Sequence, residues 1–135
     1  MTHVQRMLET YPGDLGRLDR SLLEACIEAC VDCAQTCTAC ADACLSEDVV
    51  SSLTACIRMN LDCADLCEVT SRVLSRHTGS CADLVRSVVE ACAQACRSCG
   101  EECALHGTAH AHCRVCMDAC RQCEQTCREL LVAFG

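Results

Sequence analysis

Between Cys26 and Cys44 the non-polar positions of CIEACVDCAQTCTACADAC are led by six cysteines at steps of 4, 3, 4, 3 and 4. That is the rhythm of one helix face. Acidic and amide side chains such as Glu28, Asp32 and Gln35 fill the positions between. The pattern returns three times. Cys92, Cys96, Cys99 and Cys103 are spaced 4, 3 and 4, and Cys113, Cys116, Cys120, Cys123 and Cys127 are spaced 3, 4, 3 and 4. Cys56, Cys63 and Cys67 form a shorter row in which Asn60 takes the missing step. The periodicity predicts four long helices near residues 14–45, 48–76, 80–105 and 109–133. Pro12-Gly13 sets off a short N-terminal helical segment.

The junctions carry helix-boundary residues. Ser46 and Asp48 are candidate N-caps of the second helix. In HTGS, Gly79 is a stop and Ser80 the next N-cap, with Asp83 three residues on; in HGTAH, Gly107 and Thr108 repeat the scheme. Connections this short make antiparallel neighbours. The expected fold is therefore all-α: a single domain over residues 1–135, an antiparallel up-down four-helix bundle with a cysteine-lined core. Gly100, inside the third helix, marks a close helix approach.

Antiparallel packing adds a prediction. Cysteines crowd the C-terminal part of the first and third helices and begin nearer the N-terminus of the second and fourth, so they gather at one end. The other end collects Leu15, Leu18, Leu22, Leu23, Val69, Val73, Leu74, Leu84, Val85, Val88, Leu130, Leu131 and Phe134. It is expected to form a dry plug that holds the fold without ligand, below a lumen of thiols. Cys81 lies apart from the rows, at the start of the third helix.

Composition sharpens the picture. The 19 cysteines in 135 residues amount to about 14%, above the roughly 8–10% that marks a specialised scaffold. There is one Tyr, one Phe and no Trp, so large hydrophobes do not account for the core. The formal charge is −8, and the 11 Lys and Arg are scattered. No basic patch suits a nucleic acid. MTHVQRMLETYPGDLG holds no secretory apolar stretch, and no run is apolar enough for a membrane span. The expected location is cytoplasmic, where thiols are mostly kept reduced.

What would thiols do on four helix seams? Leu or Val would bury more apolar area, at about 25 cal/mol per Å2, so packing alone is a poor reason for the whole set. Within a helix, side chains at i, i+3 and i+4 have Cβ atoms about 5–6 Å apart, whereas a disulfide wants about 3.5–4.5 Å. Bridges between helices stay open as an alternative, against an odd count and a reducing compartment. The CxxC pairs Cys30/Cys33, Cys37/Cys40, Cys96/Cys99, Cys113/Cys116 and Cys120/Cys123 lie within helices, with no thioredoxin-like strands around them. A redox enzyme is the weaker reading. A metal joining two thiolates at bonds of about 2.3 Å spans up to about 4.6 Å, which seam neighbours can reach.

Thiolates select Cu(I), Zn(II) or Fe–S clusters. Several four-thiolate zinc sites would bury many negative charges. One Cu(I) per thiolate replaces one proton with one monovalent ion, and the interior stays near neutral. Iron–sulfur clusters use local loop motifs that this chain lacks. The residues thus favour a core that holds many Cu(I) ions, about one per buried thiol, over catalysis. A zinc or general thiol metal buffer is the alternative.

Few other donors are present. HGTAHAHC puts His106, His110 and His112 at the cysteine-rich mouth, either solvated or forming a point of metal access; His106 continues the third seam three residues past Cys103. His77 lies at the far end. Asn60 is expected to be a satisfied core amide. Met59, Met117 and Met7 are expected to pack.

These rows of CxxxCxxC and CxxCxxxC, with the HGTAHAHC mouth, resemble the cytosolic copper storage proteins of bacteria over residues from about 20 to 130. The resemblance implies a homo-oligomeric bundle, a tetramer, with many Cu(I) ions in a preformed core, and His106, His110 and His112 at the opening through which copper enters. The expected metal ligands are these three with Cys26, Cys30, Cys33, Cys37, Cys40, Cys44, Cys56, Cys63, Cys67, Cys81, Cys92, Cys96, Cys99, Cys103, Cys113, Cys116, Cys120, Cys123 and Cys127. Cys81 departs from the rows. The expected function is then storage and detoxification of Cu(I), without catalysis, with copper-donating thiols or chaperones as partners.

Overall fold

Five α-helices form where periodicity and capping chemistry allow. They are α1 (His3–Glu9), α2 (Arg20–Leu45), α3 (Thr54–Leu74), α4 (Ala82–His106) and α5 (Ala111–Ala133). The computed structural model describes residues 1–134. The four long helices pack as a closed ring, α2 on α3, α3 on α4, α4 on α5 and α5 on α2. This is the expected all-α, antiparallel up-down bundle with a cysteine-lined core, and α1 is the short N-terminal helix. The α2–α3 and α4–α5 connections share the mouth end.

The boundaries differ where local hydrogen bonds outrank periodicity. α2 starts at Arg20, not near residue 14. Gly16 is left-handed at φ +83° and donates to Asp14 Oδ1 at 2.8 Å, so the chain turns there. Asp19 then caps α2 by accepting from the Ser21 N–H. α3 starts at Thr54, behind a 3-10 turn over Val50–Ser52. Neither Ser46 nor Asp48 caps it. Ser46 closes α2 instead, and Leu53 holds the N-cap position of α3 with its side chain fully buried. Leu53 lies three residues before Cys56, so burying the seam sets this start.

Cys81 and His110 take the N-cap positions expected of Ser80 and Thr108, without side-chain caps. Gly79 sits in the α3–α4 turn with the left-handed φ of +68° that favours glycine. Gly107 ends α4 at φ −66°, a right-handed conformation that any residue adopts.

Each seam runs on into the plug. After Cys67 come Thr70 and Leu74; before Cys92 come Val89 and Val85; after Cys127 come Leu130 and Phe134; before Cys26 comes Leu23. Leu23, Leu74, Val89 and Leu130 are buried, and Leu15, Leu18, Leu22, Val85, Leu131 and Phe134 pack partly against them. Two expected plug residues face out: Val69 is 50% and Leu84 59% exposed. Val89, not Val88, is the fully buried valine of α4. Buried Thr70 satisfies its hydroxyl by donating to the Leu66 carbonyl at 2.7 Å. Arg86 ties down the C-terminal end of α5 through the Phe134 carbonyl at 3.0 Å.

α1 lies on α2 through Val4 and Leu8, next to Ile27. Met7 does not pack as expected and is 70% exposed, since Val4 and Leu8 take the inner face. At Gly100 an added Cβ would meet Cys120 Cβ at 3.4 Å, ordinary van der Waals contact, so α4 packs on α5 there without the close approach that would demand glycine. Among the described residues no helix is long and apolar enough to cross a membrane.

Candidate metal centre

All 19 cysteines are free thiols; 18 are buried and Cys81 is exposed. The seams aim the buried set at one axis, where sulfurs meet across helices. Near the plug, Cys26 lies 3.7 Å from Cys127. Next, Cys30 lies 3.8 Å from Cys92 and accepts from Cys123 at 3.7 Å. Cys67 lies 3.6 Å from Cys96, and nearer the mouth Cys116 donates to Cys37 at 3.6 Å. The sulfurs are grouped by packing and remain unbonded.

Sets of four form whose ligand atoms all lie within 4.8 Å of one another. One is Cys30, Cys92, Cys123 and Cys127; a second is Cys33, Cys63, Cys67 and Cys96. Cys33 also joins Cys37, Cys63 and Cys120, and Cys37 joins Cys99, Cys116 and Cys120. Shared members chain the sets along the axis. Such a chain suits thiolates that each bridge two soft ions, and it offers a route by ligand exchange from one sulfur to the next.

The surroundings act on the thiols in opposite senses. Burial, which disfavours thiolate charge, pushes the Cys113 thiol from 9.0 up to about 12 and raises Cys44 as well. Hydrogen bonding from Cys127 draws Cys26 down to about 5. Copper or zinc must displace the protons that burial holds in place.

Asn60 interrupts the α3 seam and is fully buried. Its Oδ1 accepts from Cys99 at 3.1 Å, Cys116 at 3.3 Å and Cys103 at 3.5 Å, while Nδ2 donates to Cys56 Sγ at 3.7 Å. It is the satisfied amide that was expected. Met117 packs partly on the core, whereas Met59, at 36% exposure, lies outside it.

The three mouth histidines do not act alike. His112 Nδ1 lies 3.4 Å from Cys40 Sγ and 3.6 Å from Cys113 Sγ. His112, Cys40, Cys44 and Cys113 form another set within 4.8 Å. His110 stands beside it, ring centroids 5.7 Å apart. His106 is held on its own helix by Glu102, Nε2 to Oε2 3.1 Å, and lies in none of the donor sets named above. Cys81, at the start of α4 on the plug side, is not brought to the other thiols. His77 is also at the plug end, against the edge of Tyr11.

Glu47 was not anticipated. Its Oε2 lies 2.9 Å from His112 Nε2 and 2.5 Å from His110 Nδ1. The signal was present: Glu47 is three residues past Cys44, the next step of the α2 rhythm, as His106 is past Cys103. Read as one of many acidic residues on a solvated face, it was indistinguishable from its neighbours.

Comparisons with known proteins agree with this arrangement. The chain is similar to the copper storage protein of Streptomyces lividans, solved loaded with 10 copper equivalents: 58% identity, 96% of this chain and 98% of that one, TM-score 0.95. It is similar to the Cu(I)-bound copper storage protein BsCsp3, at 38% identity over 82% of this chain and 98% of that one, TM-score 0.72. The cysteine-rich protein YhjQ of Bacillus subtilis is 37% identical over 79% of this chain and 94% of its own length. The sequence profile of the copper storage proteins (Csp) matches residues 19–132, and the chain belongs to that family.

Proposed function

We propose that this chain stores Cu(I) in the cytosol, taking about one ion per interior thiol into a core that is folded before metal arrives. The observation that carries this is the chain of four-sulfur sets along the bundle axis, each within 4.8 Å. Eighteen buried thiols give the donors; similarity to copper-loaded relatives supports the metal. Exchange of one proton for one Cu(I) keeps the interior near neutral, whereas thiolate sites for Zn(II) would bury net negative charge.

The residues proposed to hold copper are the interior cysteines together with His112, at the mouth. His110 and His106 flank the opening. Ions would come from a small thiol or a copper chaperone and move inward by thiolate exchange. No catalytic turnover is assigned. Assembly into a homotetramer, as the family resemblance implies, has surface to use: Val31 on α2 and Leu61 and Val69 on α3 are about half exposed. Light scattering with size exclusion tests the oligomer.

One feature favours a second metal. The three sulfurs and one imidazole at the mouth are a donor set that Zn(II) takes in tetrahedral sites. Anaerobic titration against a strong competing chelator separates the readings. Uptake near one Cu(I) per interior thiol, with about one proton released per ion, is expected. Saturation at a few Zn(II), with no larger Cu(I) capacity, would establish a zinc buffer instead.

A further inference from the structure

We propose that Glu47 is a positioning residue that holds His112 in its Nε2–H tautomer, turning the Nδ1 lone pair of that ring onto the mouth thiols. A Cys3His seat then meets incoming Cu(I) already formed. The inference rests on the copper-storage reading above and adds how the first ion is received.

A carboxylate oxygen only accepts hydrogen bonds. Glu47 Oε2 accepts from Nε2 of His112 at 2.9 Å, so that nitrogen carries the proton, and Nδ1 of His110 lies 2.5 Å from the same oxygen. In a neutral ring the opposite nitrogen is then the acceptor. For His112 that is Nδ1, the atom 3.4 Å from Cys40 Sγ and 3.6 Å from Cys113 Sγ.

Burial and anchoring agree. Within the set, Cys40, Cys44 and Cys113 are closed off from solvent, and the His112 side chain keeps 26% exposure. His112 alone spans from solvent to sulfur, with its Glu47-bonded edge outward. Glu47 is fixed by its own N–H, which donates to the Cys44 carbonyl at 3.2 Å. The orienting group is therefore tied to one of the ligands it serves. Partners that orient a ligating imidazole commonly change metal affinity or activity by about 10–100-fold when removed.

The test uses the full chain, reduced and copper-free, with 15N-labelled histidine. The His112 signals should show an Nε2–H tautomer, and Glu47→Ala should give a mixture. The initial rate of Cu(I) transfer from its bicinchoninate complex should fall by about 10-fold or more in Glu47→Ala. Glu47→Gln keeps an accepting oxygen at similar reach and should return both readouts toward wild type. Circular dichroism shows whether each variant is folded, and Glu47→Leu, which also lacks an acceptor, serves if Glu47→Ala is not. An unchanged tautomer in Glu47→Ala overturns the proposal, whether or not the rate falls; so does a shifted tautomer with an unchanged rate. Failure of wild-type protein to fill beyond a few equivalents overturns the storage reading itself, a result separate from either outcome for Glu47.

Discussion

Asn60 Oδ1 accepts from Cys99 Sγ at 3.1 Å, joining α3 to α4 at the one step of the thiol row where α3 carries no sulfur. Cys116 of α5 donates to the same oxygen at 3.3 Å, so a single amide ties three helices. Asn60→Ala removes that acceptor and leaves a void. The reduced apo protein is expected to lose about 1–3 kcal/mol, read as a lower urea midpoint at unchanged slope.

The apolar plug is expected to carry the fold of the empty protein. Reduced apo protein should show strong helical circular dichroism before any metal is added. Leu130 is fully buried where the α5 thiol row ends. Leu130→Ala should cost about 2–5 kcal/mol, lowering the apo melting temperature. A poorly helical wild-type apo protein would contradict a preformed core.

Cys81 is the one exposed thiol. A thiol reagent should label it at once in native apo protein, while the other thiols react only on unfolding. Cys81→Ser should lose the fast phase and keep the Cu(I) capacity of the parent, as measured by anaerobic titration.

Cys113 gives apo stability a pH dependence of definite sign. Its thiol is raised by burial from 9.0 to about 12. Between those values the unfolded chain has released this proton and the folded chain still holds it. Unfolding therefore becomes easier as pH rises through that window, and the contribution is fully present only below it. Urea midpoints measured from pH 8 upward should fall more steeply for wild type than for Cys113→Ser, which lacks the titrating thiol.

Much of this could be read before any tertiary contact was known. The 4, 3 spacing put 18 cysteines on inward faces because a helix repeats every 3.6 residues, and every one of those is buried. Asn60, sitting on the same spacing, was readable as a core amide. Helix starts were less legible. Ser46 and Asp48 have cap chemistry, but Leu53, three residues before Cys56, decides where α3 begins. His106 continued a seam on paper, yet Glu102 one turn earlier holds its ring.

The sequence by itself determined the helical rows, the antiparallel order and the inward thiols, since these follow from periodicity along single helices and from short connections. The tertiary structure alone decided which sulfurs meet, Cys67 with Cys96 and Cys37 with Cys116, and that His112 meets Cys40. It also brought Glu47 across from the α2–α3 connection to the start of α5. Spacing fixes the rotation of a side chain about its own helix. The distance between two helices depends on how all of them pack, and one row read alone carries no measure of it.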